Sequence, residues 1–242
     1  MNLKPALRRR SEKQYSQSLL AIANQIGEIV GGTYDGSQAG AEKAGLVLVD
    51  YSELISTWAE SVGHKMFEQV EREEWNQWRS ASEEIGAGLR EVVGNTPVGQ
   101  VAQDIVYRQI QLMKSLPIEA ADRVREIQTR AMQAMVNGER PDQLYEMIMQ
   151  SGDVAAGRAR MIARTEIGRA TGALTQARAL AVGSEGYWWR IKGAGTRPSH
   201  FKMRDKFVRW DNPPTLDSMT GHAGCLPNCQ CYPEVDIPAP RK

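Results

Sequence analysis

Apolar residues recur every three or four positions up to about residue 182, and at Gly183 that pattern stops. Four prolines precede Gly183 and seven follow it, together with the Tyr187-Trp188-Trp189 cluster and all three cysteines. A period of three to four puts side chains on one face of a helix, so the first part reads as helical and the second does not. The expected class is α+β: a mostly helical N-terminal region with a small β-containing, Cys/His-bearing C-terminal domain. The expected divisions are 1–45, an N-terminal segment with a Gly-rich linker; 46–182, a helical domain; and 183–242, a small α+β domain.

Leu54, Trp58, Val62, Met66 and Val70, widened by Ile55 and Phe67, predict an amphipathic helix that starts near Leu46. Val98, Val101, Ile105, Leu112 and Leu116 predict a second, with Thr96 as N-cap and Pro97 at the first turn. Ser115 and Pro117 predict a break or kink there. Ile118, Ala121, Val124, Ile127, Ala131 and Met135 continue a third face to Asn137-Gly138, a helix stop. Pro141 opens a short fourth helix, and Asp153 caps a fifth through Met161, Ile162, Thr165, Leu174, Ala177 and Ala181. The six glycines from Gly27 to Gly45 predict a loop or mobile linker. Tyr187, Trp189 and Ile191 alternate as one face of a strand, and 206–210 predicts a second.

Thirty basic and 29 acidic side chains give a formal charge of +1, which excludes a bulk polyelectrolyte. The distribution is uneven. Residues 53–91 carry nine acidic and four basic side chains, whereas 153–210 carry twelve basic and four acidic. Arg158, Arg160, Arg169, Arg178, Arg190 and Lys192 in that second stretch are candidates for contact with nucleic acid or an acidic partner; a solvated helix face is the plain alternative. No apolar run approaches the length of a membrane span, so the expectation is a soluble, unsecreted chain with no membrane partner. Three cysteines clustered within 225–231 suit a reducing compartment rather than a disulfide scaffold.

His222, Cys225, Cys229 and Cys231, with His200 as a fifth candidate, are the donor types a tetrahedral Zn²⁺ site uses. Buried thiols without metal and a redox pair are the alternatives. Cys229 and Cys231 would point to opposite faces of a regular strand, so metal binding requires a loop there. A structural metal would staple a domain of about 60 residues, short of aliphatic core. The chain shows no nucleotide-binding glycine loop, no HExxH, and no glycine-rich elbow around a cysteine nucleophile. It is expected not to be an enzyme.

Ile162-Ala163-Arg164-Thr165-Glu166 resembles the hallmark of the phage head morphogenesis family, the Mu F-like minor head proteins. Later pieces agree in order: Gly183, Trp188-Trp189, Arg197-Pro198-Ser199-His200, Met203, Lys206-Phe207-Val208 and Pro227-Asn228-Cys229-Gln230-Cys231. The resemblance covers about residues 137 to 237. Asp205 stands where the family usually has a turn glycine, and Gln230 stands in place of the arginine between the final cysteines. Asp adopts a left-handed turn less readily than Gly.

The resemblance implies a low-copy protein inside the phage head, made in the host cytoplasm and needed for head assembly. Its partners would be the portal protein, the major capsid or scaffolding protein, and packaged DNA. Arg164 and Glu166 read as a structural ion pair or hydrogen-bonded tie between helix and strand domain. The alternatives from other classes are a nucleic-acid-binding protein and a metal-dependent nuclease using His200, His222 and the cysteines.

Overall fold

The computed structural model describes residues 2–3, 8–85, 96, 98–137, 142–193 and 195–238. Within these run helices α1 (Arg9–Thr33), α2 (Gln38–Leu54), α3 (Ser56–Ile85), α4 (Gly99–Val136), α5 (Asp142–Met149), α6 (Ser151–Ala181) and the single turn α7 (Pro198–Phe201). The strands are β1 (Asn2–Leu3), β2 (Gly186–Arg190), β3 (Phe207–Arg209), β4 (Thr215–Leu216), β5 (Met219–Thr220) and β6 (Tyr232–Asp236). A mostly helical N-terminal region thus precedes small antiparallel sheets and a His/Cys cluster. Two compact units result: Met1–Glu12, Lys65–Ile105 and Arg164–Lys242 form one, and Lys13–His64 with Val106–Ala163 form the other.

In the second unit, Leu19, Ile22, Ile26 and Val30 of α1 are buried, as are Met113, Leu116, Ala121 and Val124 of α4. Two buried tyrosines add direction to this apolar core. The Tyr15 hydroxyl donates to Gln109 Oε1 at 2.7 Å, and Tyr34 donates to Gln128 Oε1 at 2.8 Å. The expected loop over Gly27–Gly45 is helical apart from 34–37. The reason lies partly in packing: a Cβ at Gly152 would stand 2.8 Å from the Gly27 Cα, a backbone approach that requires glycine at 152. Glycine content here serves a helix crossing, which composition alone cannot distinguish from a linker.

The expected break at Ser115 and Pro117 is also corrected, because α4 runs through both. A proline inside a helix costs about 3 kcal/mol; burial of Leu116, Pro117, Ala120 and Ala121 around it offsets that cost. The expected helix from Leu46 is instead divided at Ile55, and the buried face is Ile55, Ala59, Val62, Met66 and Val70. Leu54, Trp58, Ile118 and Met135, assigned to apolar faces from sequence, are exposed. The expected turns at Pro97, Gly138 and Pro141 lie outside the described residues.

In the first unit the larger sheet has the order β1-β6-β2-β3, antiparallel throughout. Its core joins Tyr187, Trp189, Val208, Trp210 and Val235 to Trp78 and Ala81 of α3 and Ala179 of α6. Tyr187 and Trp189 share the buried face, as alternation requires. Asp205 does adopt the left-handed turn, with φ 60°. Backbone bonds from Asp205 N to Trp189 O and from Trp189 N to Lys206 O, both 2.9 Å, hold it there. β4 and β5 form a hairpin whose turn residues Asp217 and Ser218 have φ 51° and 64°, the geometry that matches strand twist.

Candidate metal centre

His200 is set by α7, where Pro198 supplies the fixed φ that opens a helical turn. Cys229 and Cys231 lie in the loop before β6, outside regular strand geometry, so the sulfurs are free of the alternation that would part them. Asn228 turns the chain into this loop with φ 56°.

The three side chains converge. His200 Nδ1 lies 3.3 Å from Cys229 Sγ and 3.7 Å from Cys231 Sγ. All three are buried, and their donor atoms lie within 4.8 Å of one another. Zn–N and Zn–S bonds at tetrahedral angles separate N from S by about 3.6 Å, so the spacing fits a shared metal ion. Asp217 Oδ2 stands 3.8 Å from His200 Nε2, on the far side of the ring, near the position of an outer carboxylate but beyond hydrogen-bond distance. Trp189 packs edge-on to that ring at 5.8 Å. A buried His200/Cys229/Cys231 group able to hold a metal is therefore present.

The two thiols share a proton unequally. Accepting a hydrogen bond from Cys231 pulls Cys229 down to about 5, against the opposing effect of burial, and the same bond pushes Cys231 up. One sulfur is thus readily a thiolate, the form that ligates.

His222 and Cys225 are placed elsewhere. His222 Nδ1 lies 3.1 Å from the Tyr187 hydroxyl, with its ring edge-on to Trp210. Cys225 sits against α6, where a Cβ at Gly172 would come within 2.8 Å of its sulfur. Burial raises its thiol to about 11. The structure thus divides the five sequence candidates into three that meet and two that pack.

Arg164 and Glu166 do not pair with each other. Arg164 pairs with Glu12 at 3.2 Å and donates to Asn228 Oδ1 at 2.9 Å. Glu166 pairs with Arg169 at 2.7 Å, and Arg169 donates to the Cys225 carbonyl at 2.8 Å. Both residues of the helical pentapeptide therefore connect to the cysteine-bearing loop, one directly and one through Arg169.

The remaining basic candidates are mostly engaged within the chain. Arg158 pairs with Glu119 at 2.7 Å, and Arg190 with Glu234 and Asp205. Arg178 is buried, pairing with Glu71 at 2.6 Å and with Glu74. The expectation that Arg178 meets a partner is corrected: desolvation at that position is offset by the two carboxylates, not by an external anion. Arg160 and Lys192 show no ion pair among the described residues. Sequence reasoning missed the Arg178–Glu74 network; its signal was an arginine four residues after Leu174 on the buried face.

Residues 125–233 match the family described as Phage Mu protein F like protein. The chain carries a Mu F-like domain. An uncharacterized protein of Haemophilus influenzae strain Rd is 32% identical over 157 residues, covering 64% of this chain and 33% of that relative. The chain thus spans about a third of the length of the curated relative it matches. No solved structure matches. The Mu F-like match contains both the Arg164 pentapeptide and the three converging donors. Among the described residues, no helix is long and apolar enough to cross a membrane.

Proposed function

We propose that this chain is a phage minor head protein, needed for head morphogenesis and held in few copies inside the virion at the portal or inner capsid. The observation that carries the reading is the Mu F-like domain over residues 125–233. Exposed apolar side chains on the helices support it. Leu46 is 64% exposed, Leu54 80% and Trp58 40%, surface that an assembly partner would cover. The role is adhesive rather than catalytic, with portal, capsid or scaffolding protein as partner. A Zn²⁺ at His200, Cys229 and Cys231 would fix α7 to the loop before β6.

The nucleic-acid alternative draws on the same basic stretch, but Arg158, Arg169, Arg178 and Arg190 spend their charge on internal carboxylates. Contact with packaged DNA is therefore secondary in this reading. The test is capture of the portal protein by the tagged full chain after nuclease treatment, across a salt series. Apolar docking predicts retention that changes little with salt, whereas phosphate contacts fall steeply. Loss of the portal protein at moderate salt would reject the reading.

A further inference from the structure

Three donors leave a tetrahedron incomplete. Among the described residues, no fourth His, Cys, Asp or Glu joins His200, Cys229 and Cys231 in the group. His222 is engaged with Tyr187, and Cys225 is packed against Gly172. Asp217 lies 3.8 Å from Nε2, the nitrogen opposite the sulfurs, and so on the wrong side of the ring to close the site.

Beside the three donors lies a cavity of about 620 Å³, whose wall also carries Arg164, Lys192 and Arg197. Its charge can be followed residue by residue. A divalent metal with two thiolates is neutral. Arg164 is balanced by Glu12, and Arg197 lies 3.6 Å from Asp217. Lys192 has no ion pair among the described residues, and the partly buried Arg8, beside the Cys231 carbonyl at 3.5 Å, shares Glu12 with Arg164, so net positive charge remains around the three donors. A water occupies about 30 Å³, so the cavity has room for a small ion with its hydration. Three protein ligands plus an open position is also the arrangement by which Zn²⁺ accepts an exogenous ligand.

We propose that His200 Nδ1, Cys229 Sγ and Cys231 Sγ hold one Zn²⁺ whose fourth position opens into this cavity and takes a small oxyanion, with Lys192 as counter-charge. The proposal rests on the reading of the cluster as a metal centre, and the experiment separates the two. The reduced full chain is loaded with Co²⁺ in place of Zn²⁺, and its absorption is followed during titration with inorganic phosphate and, separately, acetate.

The expected result is one metal per chain with thiolate charge-transfer absorption. Ligand-field bands then shift saturably with anion, and the tighter of the two titrants distinguishes phosphate from carboxylate. Lys192→Met keeps the metal and weakens the anion about tenfold, the scale of one charge-assisted hydrogen bond. Cys229→Ser abolishes the charge-transfer band. One Co²⁺ per chain with bands indifferent to both anions overturns the open position while leaving the metal centre standing. No bound Co²⁺ overturns both.

Discussion

The guanidinium of Arg164 donates to the side-chain oxygen of Asn228 at 2.9 Å, joining residues 64 positions apart. The neighbouring Thr165 hydroxyl accepts from the Asn228 backbone N–H at 3.0 Å. Two consecutive residues of α6 therefore grip the turn that presents Cys229. The helical pentapeptide and the Pro-Asn-Cys loop, separate in sequence, are two sides of one joint.

Asn228 has φ 56°, so its replacement tests that joint twice. Asn228→Ala meets the left-handed penalty of about 1–2 kcal/mol and also loses the Arg164 bond. Asn228→Gly loses the bond but tolerates the turn. Urea unfolding should rank wild type above Gly and Gly above Ala; equal loss in both variants would show that the turn is not strained.

Arg178 and Glu74 are both buried, and Thr175 adds a hydrogen bond to Glu74 Oε1 at 3.1 Å. Removing one member of such a pair leaves a buried charge without compensation and costs about 3–5 kcal/mol. Arg178→Met should lower stability on that scale in thermal unfolding. The double replacement Arg178→Met with Glu74→Gln should recover a substantial part of it, since no fully buried lone charge remains and Glu71, a third exposed, is left to solvent.

How much of this was legible in the sequence depends on the type of signal. Val62, Met66 and Val70 are buried because a sustained period specifies a face. Leu54 and Trp58 continue the same arithmetic but fall at the division between α2 and α3, where the face changes. Gly27 reads as a linker residue in the sequence and Gly152 as a helix end, and only their meeting shows a helix crossing. β1 is two residues long, too short to carry any alternation. For the site, donor types were visible, but selection of His200 over His222 depends on α7 and on long-range pairing of β2 with β6. The pairing of Arg164 with Glu12 and of Glu166 with Arg169 likewise required the tertiary structure.

Burial holds His222 below its ordinary pKa of 6.5. The unfolded chain therefore binds this proton more tightly than the folded one. Stability from this residue is complete above 6.5, declines as pH falls below it, and levels off beneath the folded pKa. Thermal unfolding of wild type and His222→Gln between about pH 7.5 and 5 should show a shallower acid decline in the variant. Parallel declines would assign the effect to other groups.

Metal content separates the sulfurs. Cys225→Ser should leave one zinc per chain in elemental analysis, because its sulfur packs against α6. Cys229→Ser should lose the metal, since its sulfur is 3.3 Å from His200 Nδ1. Chelator should lower the melting temperature of wild type and of Cys225→Ser but leave Cys229→Ser unchanged. Metal lost equally from both cysteine variants would contradict the three-donor centre.

The most direct test of the account is the position of the tagged chain in purified phage heads, by quantitative mass spectrometry and labelled electron microscopy. A minor head protein predicts a few copies for each portal assembly, inside the shell and beside the portal vertex. Heads that form normally without the chain, or particles from which it is absent, would contradict the proposed function.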